Sequence, residues 1–561
     1  MKFGTDYWHS LDKDTARRYN LNANYIGIST PPFRDQLESL KTRIFQGASQ
    51  VELGFTGRGK GSASQGSITP EQLGKEEREQ VRLLAKLNNI ELSTHTTVGV
   101  GSLSGFDERQ NVFNPEAQEA NMQEVRRTID FAAETARGGP VVVHTGEFPR
   151  PIDKFKDEQF QNYKGEEEHA PIYLADPETG QVIPLRRDTK ILEPEEWEDE
   201  AKRIPKRENG EIKFKPVSYQ DIVKDFNKLS DEEKQNFKND PGIYFYNKYA
   251  DRQIQQLQGE QNRYYSWAEE MQGKDENQAR YFREAALSHA RQVAELKNQL
   301  ARIQPIEQVG VQRSADALAR AGIYAFQKER EEKLEKPLFI APENIFPEMG
   351  YGSHPAELKN LIATSRERMQ EKLWDGEKHA PTPEGQKLGI YSQQKAHQVA
   401  EDHIKATFDI GHLNTWKKYF RGTEEEYNQW VEKQIDTLTK DKSVGHAHIT
   451  DNFGYFDEHV TPGEGTAPVA GFIKKLKESG YEGKFIIEPG AQDVKAWTGA
   501  MRSFNSPVYR INGGSASWTE VEGGYFSQAR SPTYVVGGYS PGASLGEEYN
   551  DWRFWSRLPI E

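Results

Sequence analysis

Eight short apolar runs, separated by stretches of helical periodicity, constrain the fold of this chain more than any other feature. Most runs are continuous rather than alternating, which is typical of parallel strands that are buried on both faces. The predicted strands are Tyr25–Ser29, Val51–Phe55, Ile90–Thr94, Val141–His144, Leu338–Pro342, Ala406–Ile410, Val444–Ile449 and Lys484–Ile487. Between them, Asn121–Arg137, Pro355–Leu373 and Glu425–Thr439 carry apolar residues at helical spacing. This alternation predicts an α/β fold, a (β/α)8 TIM barrel, with its functional site at the carboxyl ends of the strands.

One long gap separates the fourth predicted strand from the fifth. The last stretch of this gap, Ser314–Glu332, has the pattern of an ordinary barrel helix. We therefore predict that residues 150–305 are an insertion in a barrel formed by residues 20–149 and 306–492.

The insertion has two parts with different patterns. The first part contains two extended stretches, Ile172–Leu174 and Val182–Ile183, on either side of a predicted turn at Asp176–Gly180. The second part is helical, with apolar residues at helical spacing through Tyr281–Ile303. Because the insertion leaves the barrel at the end of a strand, it could cover a site there or mediate self-association. Periodicity alone does not separate a lid from an oligomerisation arm.

The C-terminal segment, residues 493–561, is rich in Gly, Ser, Tyr and Trp and contains the pairs Gly513-Gly514, Gly523-Gly524 and Gly537-Gly538. It is too aromatic for a disordered linker. We expect an ordered, irregular extension that packs on its own barrel or on a neighbouring subunit.

Composition narrows the chemistry of the chain. The net charge of -14 argues against a broad attraction to nucleic acid or to anionic membranes, although a local basic groove is compatible with it. The count of cysteines is 0, which excludes disulfides and thiolate metal sites, so any metal must bind nitrogen and oxygen ligands. The first residues, Met1–Asp6, have no apolar signal region, and the chain has no apolar run long enough for a membrane span. We expect a soluble cytoplasmic protein.

Nine His, Asp and Glu side chains lie at the ends of the predicted strands or in the loops that follow them. They are His95, His144, Glu343, Asp409, His412, His448, Asp457, His459 and Glu488. Such groups are costly to bury unless they are paired or bound to a metal. A metal site shared by the ring of strand ends would remove that cost.

Each of these side chains also has a common structural explanation. A single His at a strand end is usually hydrogen-bonded for structural reasons, Asp409 could cap the following helix, and Glu343 or Glu488 could pair with an Arg. Their joint occurrence in barrel order favours a shared site. Zinc accepts His nitrogen and carboxylate oxygen, and nine side chains suffice for up to three ions if one carboxylate bridges two. Glu343 is our candidate for the bridge, and manganese or magnesium is the alternative metal.

Two glycine-rich loops invite comparison with phosphate-binding loops. Neither Gly57-Arg58-Gly59-Lys60-Gly61 nor Gly99-Val100-Gly101 fits a Walker or dinucleotide-binding pattern. They are predicted to be flexible loops on the active face, where Arg58 and Lys60 are either solvated or in contact with an anionic substrate.

The site pattern resembles endonuclease IV, the zinc-dependent apurinic/apyrimidinic endonucleases of the xylose-isomerase-like barrel superfamily. The resemblance covers residues 20–145 and 310–490. The motifs that carry it are the strand-end His95, His144 in Val-Val-Val-His, Glu343-Asn344, Asp409-Ile-Gly-His412, His448-Ile-Thr-Asp451, Asp457-Glu-His459 before Gly463-Glu464-Gly465, the final Glu488, and Phe55-Thr56 followed by Arg58.

The resemblance implies three zinc ions held by the nine side chains and a phosphodiester hydrolase, with catalytic roles for Glu343, Glu488 and Arg58. Three departures disfavour the family's abasic DNA as the substrate. His95 is followed by Thr96-Thr97-Val98-Gly99, without the aromatic wedge of the family, and the insertion would lie where duplex DNA docks. The chain is also acidic, whereas binding to the phosphate backbone favours Lys and Arg on the active face.

Two further hypotheses stay open beside the hydrolase. A sugar isomerase or epimerase of the same superfamily would need one divalent ion, held by Glu343, Asp409, His448 and Glu488, and would act on a sugar substrate. Alternatively, the insertion and the aromatic tail could mark a barrel repurposed for self-assembly as a homo-oligomer.

Overall fold

The protein is a closed barrel of eight parallel strands, in a computed structural model that describes residues 21, 23–59, 68–166, 169–199, 204–440, 442–489 and 493–504. The barrel strands, numbered here first to eighth, are Ile26–Ser29, Gln50–Leu53, Glu91–His95, Gly139–His144, Leu338–Glu343, Ala406–Asp409, Val444–His448 and Phe485–Ile487. Each strand pairs with its neighbours in sequence, and the first strand closes the barrel by pairing with the eighth. The predicted (β/α)8 TIM barrel is confirmed.

Continuous burial explains why the barrel strands read as apolar runs. All six residues of Leu338–Glu343 are buried, and so are the four residues of Ala406–Asp409. The strands are covered by helices outside the barrel and by one another's side chains inside it. The last residue of each of these two strands is a carboxylate, so the strands carry Glu343 and Asp409 into the interior.

The barrel helices alternate with the strands as expected. They are Gln36–Gln46, Lys75–Leu87, Pro115–Thr135, Ile306–Glu332, Pro355–Leu373, Gln393–His403, Glu424–Lys440, Val469–Glu478 and Asp493–Ser503, with shorter helices at Pro383–Lys387 and Ile410–Asn414.

Two barrel helices begin earlier than the sequence pattern indicated. The helix Pro115–Thr135 begins before Asn121 because the Asn114 side chain accepts hydrogen bonds from the first-turn N–H groups and Pro115 occupies the first helical position. Similarly, the helix Ile306–Glu332 begins before Ser314, directly after the insertion.

The insertion enters and leaves the barrel on the face where the strands end, since it follows the fourth strand and precedes the helix Ile306–Glu332. Its first residues pack on the barrel, because Ile152, Phe155 and Phe160 belong to the main hydrophobic core. A separate core begins with the strand Pro171–Ala175.

The body of the insertion combines small antiparallel sheets with helices. The predicted extended stretches form the paired strands Pro171–Ala175 and Val182–Arg186, which Gln304–Pro305 joins as a third strand. Two long helices, Pro241–Met271 and Glu276–Arg302, pack against each other and contain the predicted helical part. The remaining elements are the strands Ile191–Pro194, Trp197–Asp199, Ile204–Pro205 and Phe214–Val217 and the helices Tyr219–Lys228 and Asp231–Asn236.

Several sequence-based expectations concern residues outside the described part of the chain. Lys60 and Gly61 are among them, as are residues 505–561 with their three Gly-Gly pairs. The described beginning of the C-terminal extension is the helix Asp493–Ser503. Among the described residues, none of the helices combines the length and the apolar character that crossing a membrane requires.

Candidate metal centre

All nine predicted ligands converge at the mouth of the barrel where the strands end. They form three groups, and within each group one potential ligand atom per residue lies within 4.8 Å of the others. The groups are His95–His144–Glu343, Glu343–Asp409–His448–Glu488 and His412–Asp457–His459. Glu343 belongs to two of them and therefore connects the first group to the second.

The register of the strands brings the first ligands together. Glu343, at the end of the fifth strand, is paired in register with His144 at the end of the fourth. Asp409, at the end of the sixth strand, is paired in register with His448 at the end of the seventh. Between these two pairs, Glu343 is aligned with Thr407, two residues before Asp409, so the four residues lie at the same barrel mouth with an offset between the fifth and sixth strands.

Glu343 is the central carboxylate of the centre. Its side chain is fully buried, and Oε1 lies 2.8 Å from Nδ1 of His448. The other oxygen, Oε2, lies 3.4 Å from Nε2 of His95 and 3.6 Å from Nε2 of His144. The two oxygens thus face different imidazoles, which is the arrangement that a bridging carboxylate requires.

Asp409 combines a structural role with a free oxygen. Its Oδ1 accepts hydrogen bonds from the backbone N–H groups of Gly411, at 2.5 Å, and His412, at 3.0 Å, and so caps the helix Ile410–Asn414. The hydroxyl of Thr450 donates to the same oxygen at 2.6 Å. The other oxygen, Oδ2, is buried and has no hydrogen-bond partner in the described part of the protein. The capping role considered from the sequence is therefore compatible with a ligand role.

The third group depends on the loop after the seventh strand. Oδ2 of Asp457 lies 2.8 Å from Nε2 of His459 and 3.3 Å from Nε2 of His412. His459 has a φ of 48°, in the left-handed region that few residues with side chains adopt. Such backbone conformations persist where the surrounding structure enforces them, often at functional sites.

Asp451 anchors this loop on the barrel. Its side chain accepts hydrogen bonds from the backbone N–H groups of Gly463 at 2.8 Å, Gly465 at 3.0 Å and Ala467 at 2.9 Å. A Cβ atom at Gly465 would lie 2.3 Å from Oδ1 of Asp451, so the close approach requires glycine. The anchor fixes the returning end of the loop that carries Asp457.

Hydrogen bonds to backbone carbonyls orient three of the ligand imidazoles. In each ring Nδ1 is within hydrogen-bond distance of a carbonyl oxygen, and Nε2 lies near a carboxylate. The pairs are His95 with Thr96 at 2.8 Å, His412 with Asn344 at 2.8 Å and His459 with Glu488 at 3.2 Å. Such contacts fix the tautomer and the ring orientation of metal-binding histidines.

Burial and neighbouring charges shift the pKa values of the centre in opposite directions. Burial disfavours a charged His95, but the hydrogen bond and charge of Glu343 outweigh it and raise the pKa of His95 to about 9. In the same way, Asp457 outweighs burial and raises the pKa of His459 to about 9. Burial, reinforced by the neighbouring His95, lowers the pKa of His144 to about 3, so this ring is neutral. The imidazoles hold the pKa of Glu343 well below its usual range despite burial.

The donor set fits divalent cations. Oδ2 of Asp409 and Oδ1 of Asp457 are buried acceptors without hydrogen-bond partners in the described structure, which costs free energy that a bound cation would remove. The imidazole-rich set without thiolates suits zinc better than magnesium, which prefers oxygen ligands.

One side of the centre is accessible to solvent. The side chains of Glu343, Asp409 and His448 are 0% exposed, whereas those of His144, Asp457 and His459 are 25%, 22% and 21% exposed. These three partly exposed residues therefore form the open side of the centre.

Two residues of the site escaped the sequence analysis. Glu52 and His446 form a further buried group with His448 beneath the centre, inside the barrel. The signals were a carboxylate in the middle of a buried strand and a second His two residues before His448, on the same side of its strand.

Arg58 lies in the exposed loop after the second strand, outside the potential ligand groups. Its Nη2 donates to Oδ1 of Asn121 at 2.6 Å. This contact holds the guanidinium on the helix Pro115–Thr135.

Comparisons with known proteins agree with the barrel. The family model described as xylose isomerase-like TIM barrel matches residues 392–506. An uncharacterized protein of Methanocaldococcus jannaschii is 42% identical over 92 residues, which are 16% of this chain and 27% of that protein. The chain thus matches about a quarter of the length of this relative.

Three solved structures align with this chain at low TM-scores. A D-tagatose 3-epimerase-like protein has a TM-score of 0.37 at 13% identity and covers 86% of this chain and 96% of its own. The 3-keto-D-glucoside 4-epimerase YcjR from E. coli has a TM-score of 0.36 at 10% identity and covers 86% and 97%. D-psicose 3-epimerase has a TM-score of 0.35 at 10% identity and covers 92% and 100%. These TM-scores do not identify an activity. The match to the family model covers the last three strands of the (β/α)8 TIM barrel.

Proposed function

We propose that this protein is a metal-dependent phosphoester hydrolase with a trinuclear centre, most naturally of zinc. The observation that carries the proposal is the division of nine side chains into three adjoining groups: Glu343 belongs to two of them, and His412 of the third lies 3.6 Å from Glu343. When bound, such ions act as Lewis acids that activate water and stabilise charge on phosphoryl oxygens.

The chain's own residues support this function in distinct ways. Glu343 and Asp409 are fully buried carboxylates that fix the inner part of the centre. His144 keeps a neutral ring, because burial lowers its pKa to about 3, and it lies partly exposed on the accessible side. Burial raises the pKa of Glu488 in the metal-free centre, so this carboxyl group would release a proton on binding an ion.

The number of groups favours the hydrolase over a mononuclear enzyme. A single-ion site needs three or four ligands. It would leave five of the nine side chains buried or half-buried without a metal to bind: His95, His144, His412, Asp457 and His459. A hydrolase of the two- or three-ion type uses all of them.

A sugar isomerase or epimerase is the second candidate function. The group Glu343–Asp409–His448–Glu488 is a complete site for one divalent ion by itself, and two of its members are glutamates that could transfer protons. In that case the substrate is a sugar and manganese or magnesium is a suitable ion.

Substitution of His144 by alanine separates the two functions. The substitution removes a ligand from the first group and leaves the four-ligand group intact. We expect His144→Ala to lower the hydrolysis rate of bis(p-nitrophenyl) phosphate by about a thousandfold, because one Lewis acid contributes several kcal/mol. Ketose epimerisation, measured in parallel with D-fructose, should be undetectable in the unsubstituted protein.

Metal analysis provides the control for this assay. The purified protein should bind three zinc ions per chain, and His144→Ala should bind two. If the protein binds one ion per chain and epimerises ketoses even with the substitution His144→Ala, the epimerase hypothesis is correct and the hydrolase hypothesis is wrong. Cleavage of abasic-site DNA, compared with small phosphodiesters, would show whether DNA is a substrate.

A further inference from the structure

Glu52 lies across the barrel interior from the seventh strand, beneath the metal centre. It belongs to the second strand, and its side chain is 1% exposed. Its Oε2 accepts a hydrogen bond from Nε2 of His446 at 2.9 Å, and its Oε1 lies 3.1 Å from Nε2 of His448. A buried carboxylate is costly unless it is paired, and the two imidazoles supply this pairing.

The two nitrogens of His448 face different carboxylates. Nδ1 lies 2.8 Å from Glu343 and 3.6 Å from Glu488, on the side of the four-ligand group. Nε2 faces Glu52. A neutral imidazole carries its single proton on one nitrogen, so the negative charge of Glu52 at 3.1 Å from Nε2 favours the proton there and leaves the lone pair of Nδ1 toward the centre, although the two atoms do not form a hydrogen bond in this structure.

Three other candidate imidazoles, those of His95, His412 and His459, hydrogen-bond a neutral backbone carbonyl through Nδ1. In His448 the nitrogen remote from the four-ligand group lies instead beside the carboxylate of Glu52, and both side chains are buried. A negative charge at this distance favours the proton on Nε2 and raises the basicity of the opposite nitrogen.

We propose that Glu52 is a positioning residue that fixes the tautomer of His448 and strengthens its Nδ1 as a ligand of the four-ligand group. His446 supports this role, because its hydrogen bond holds the second oxygen of Glu52. The inference rests on the proposed metal centre, although it holds for one ion as well as for three.

The group Glu52–His446–His448 also has the composition of a small metal site of its own. Its atoms are, however, already at hydrogen-bond distances from one another, and all three side chains are buried. An ion there would have to displace the hydrogen bond that keeps Glu52 paired. The test below counts ions and therefore separates the two roles.

Glu52→Gln keeps the shape of the side chain and removes its charge. We expect this substitution to weaken zinc binding at one position by about 10- to 100-fold, as for other outer-shell carboxylates, while the other positions keep their affinity. The readout is zinc titration against a chromophoric chelator, with the number of ions determined by mass spectrometry of the metal.

Glu329→Gln is the matched control. Glu329 makes the same kind of contact with a buried imidazole, 2.9 Å from Nε2 of His403, but both residues lie outside the potential ligand groups. This substitution should change the zinc affinity less than twofold. Equal losses in both variants would mean that Glu52 acts only through general stability, which overturns the proposal.

The outcomes distinguish this inference from the proposed function. If the unsubstituted protein binds three ions tightly and Glu52→Gln binds them equally well, the positioning role fails and the hydrolase stands. A fourth ion that is lost in Glu52→Gln would assign Glu52 as a ligand instead. Should Glu52→Gln not fold, neutron diffraction of the zinc-loaded protein decides, because a proton on Nδ1 of His448 would refute the inference and a proton on Nε2 supports it.

Discussion

Substitution of Asp457 by asparagine tests whether the third group binds its own ion. Asp457 is the carboxylate of that group, with Oδ2 at 2.8 Å from His459 and 3.3 Å from His412. Asparagine keeps the shape but offers one neutral oxygen. Two imidazoles remain, which is one ligand fewer than the three that catalytic zinc sites use.

The expected loss has two measurable parts. At a zinc concentration about 100-fold above the dissociation constant, one bound ion stabilises the folded protein by about 2.7 kcal/mol. Asp457→Asn should lose this increment, bind two ions rather than three, and unfold at a lower denaturant concentration when zinc is present. Phosphodiester hydrolysis should fall by about a thousandfold, since one Lewis acid of several kcal/mol is missing.

The neighbouring Glu458 provides the matched control for this experiment. It is exposed and lies outside the potential ligand groups of the described residues. Glu458→Gln removes a carboxylate from the same loop and should leave the number of ions and the rate unchanged. Three ions and a rate within tenfold of normal in Asp457→Asn would refute the assignment of the third group.

Two further predictions concern the protons and the loop of the centre. Zinc binding should strengthen as the pH rises through about 9, because the ion must displace the protons that the raised pKa values of about 9 keep on His95 and His459 at lower pH. Isothermal titration in buffers of different ionisation enthalpy would count the released protons, and uptake without proton release would contradict this explanation. Asp451→Asn should remove one ion selectively, because the amide cannot accept all the backbone N–H groups that hold the loop of Asp457. Metal analysis showing three ions in this variant would mean that the loop does not need its anchor.

The barrel could be predicted from the sequence because each of its strands is recognisable from its own residues. A parallel strand covered on both faces must be a continuous apolar run, so each run indicated one strand. The first residues of the helices were harder to predict than the strands. The start of Pro115–Thr135 depends on the cap by Asn114, and that of Ile306–Glu332 depends on where the insertion ends.

The convergence of the nine candidate ligands could also be predicted from the sequence, since all strands of such a barrel end on one face. The contacts that each candidate makes could not be predicted. Glu52 was overlooked because one carboxylate inside a strand is not a metal motif, and its partner His448 is far away in the sequence. Only the contact across the barrel, at 3.1 Å, connects the two residues.

The sequence by itself determined the eight strands, the interruption after the fourth and the polar residues at the strand ends, because burial and periodicity are local properties of the chain. Tertiary structure alone decided which side chains share a group, which oxygen of Asp409 stays unpaired and which carboxylate faces His448. These distances depend on the closure and register of the barrel, which join residues hundreds of positions apart.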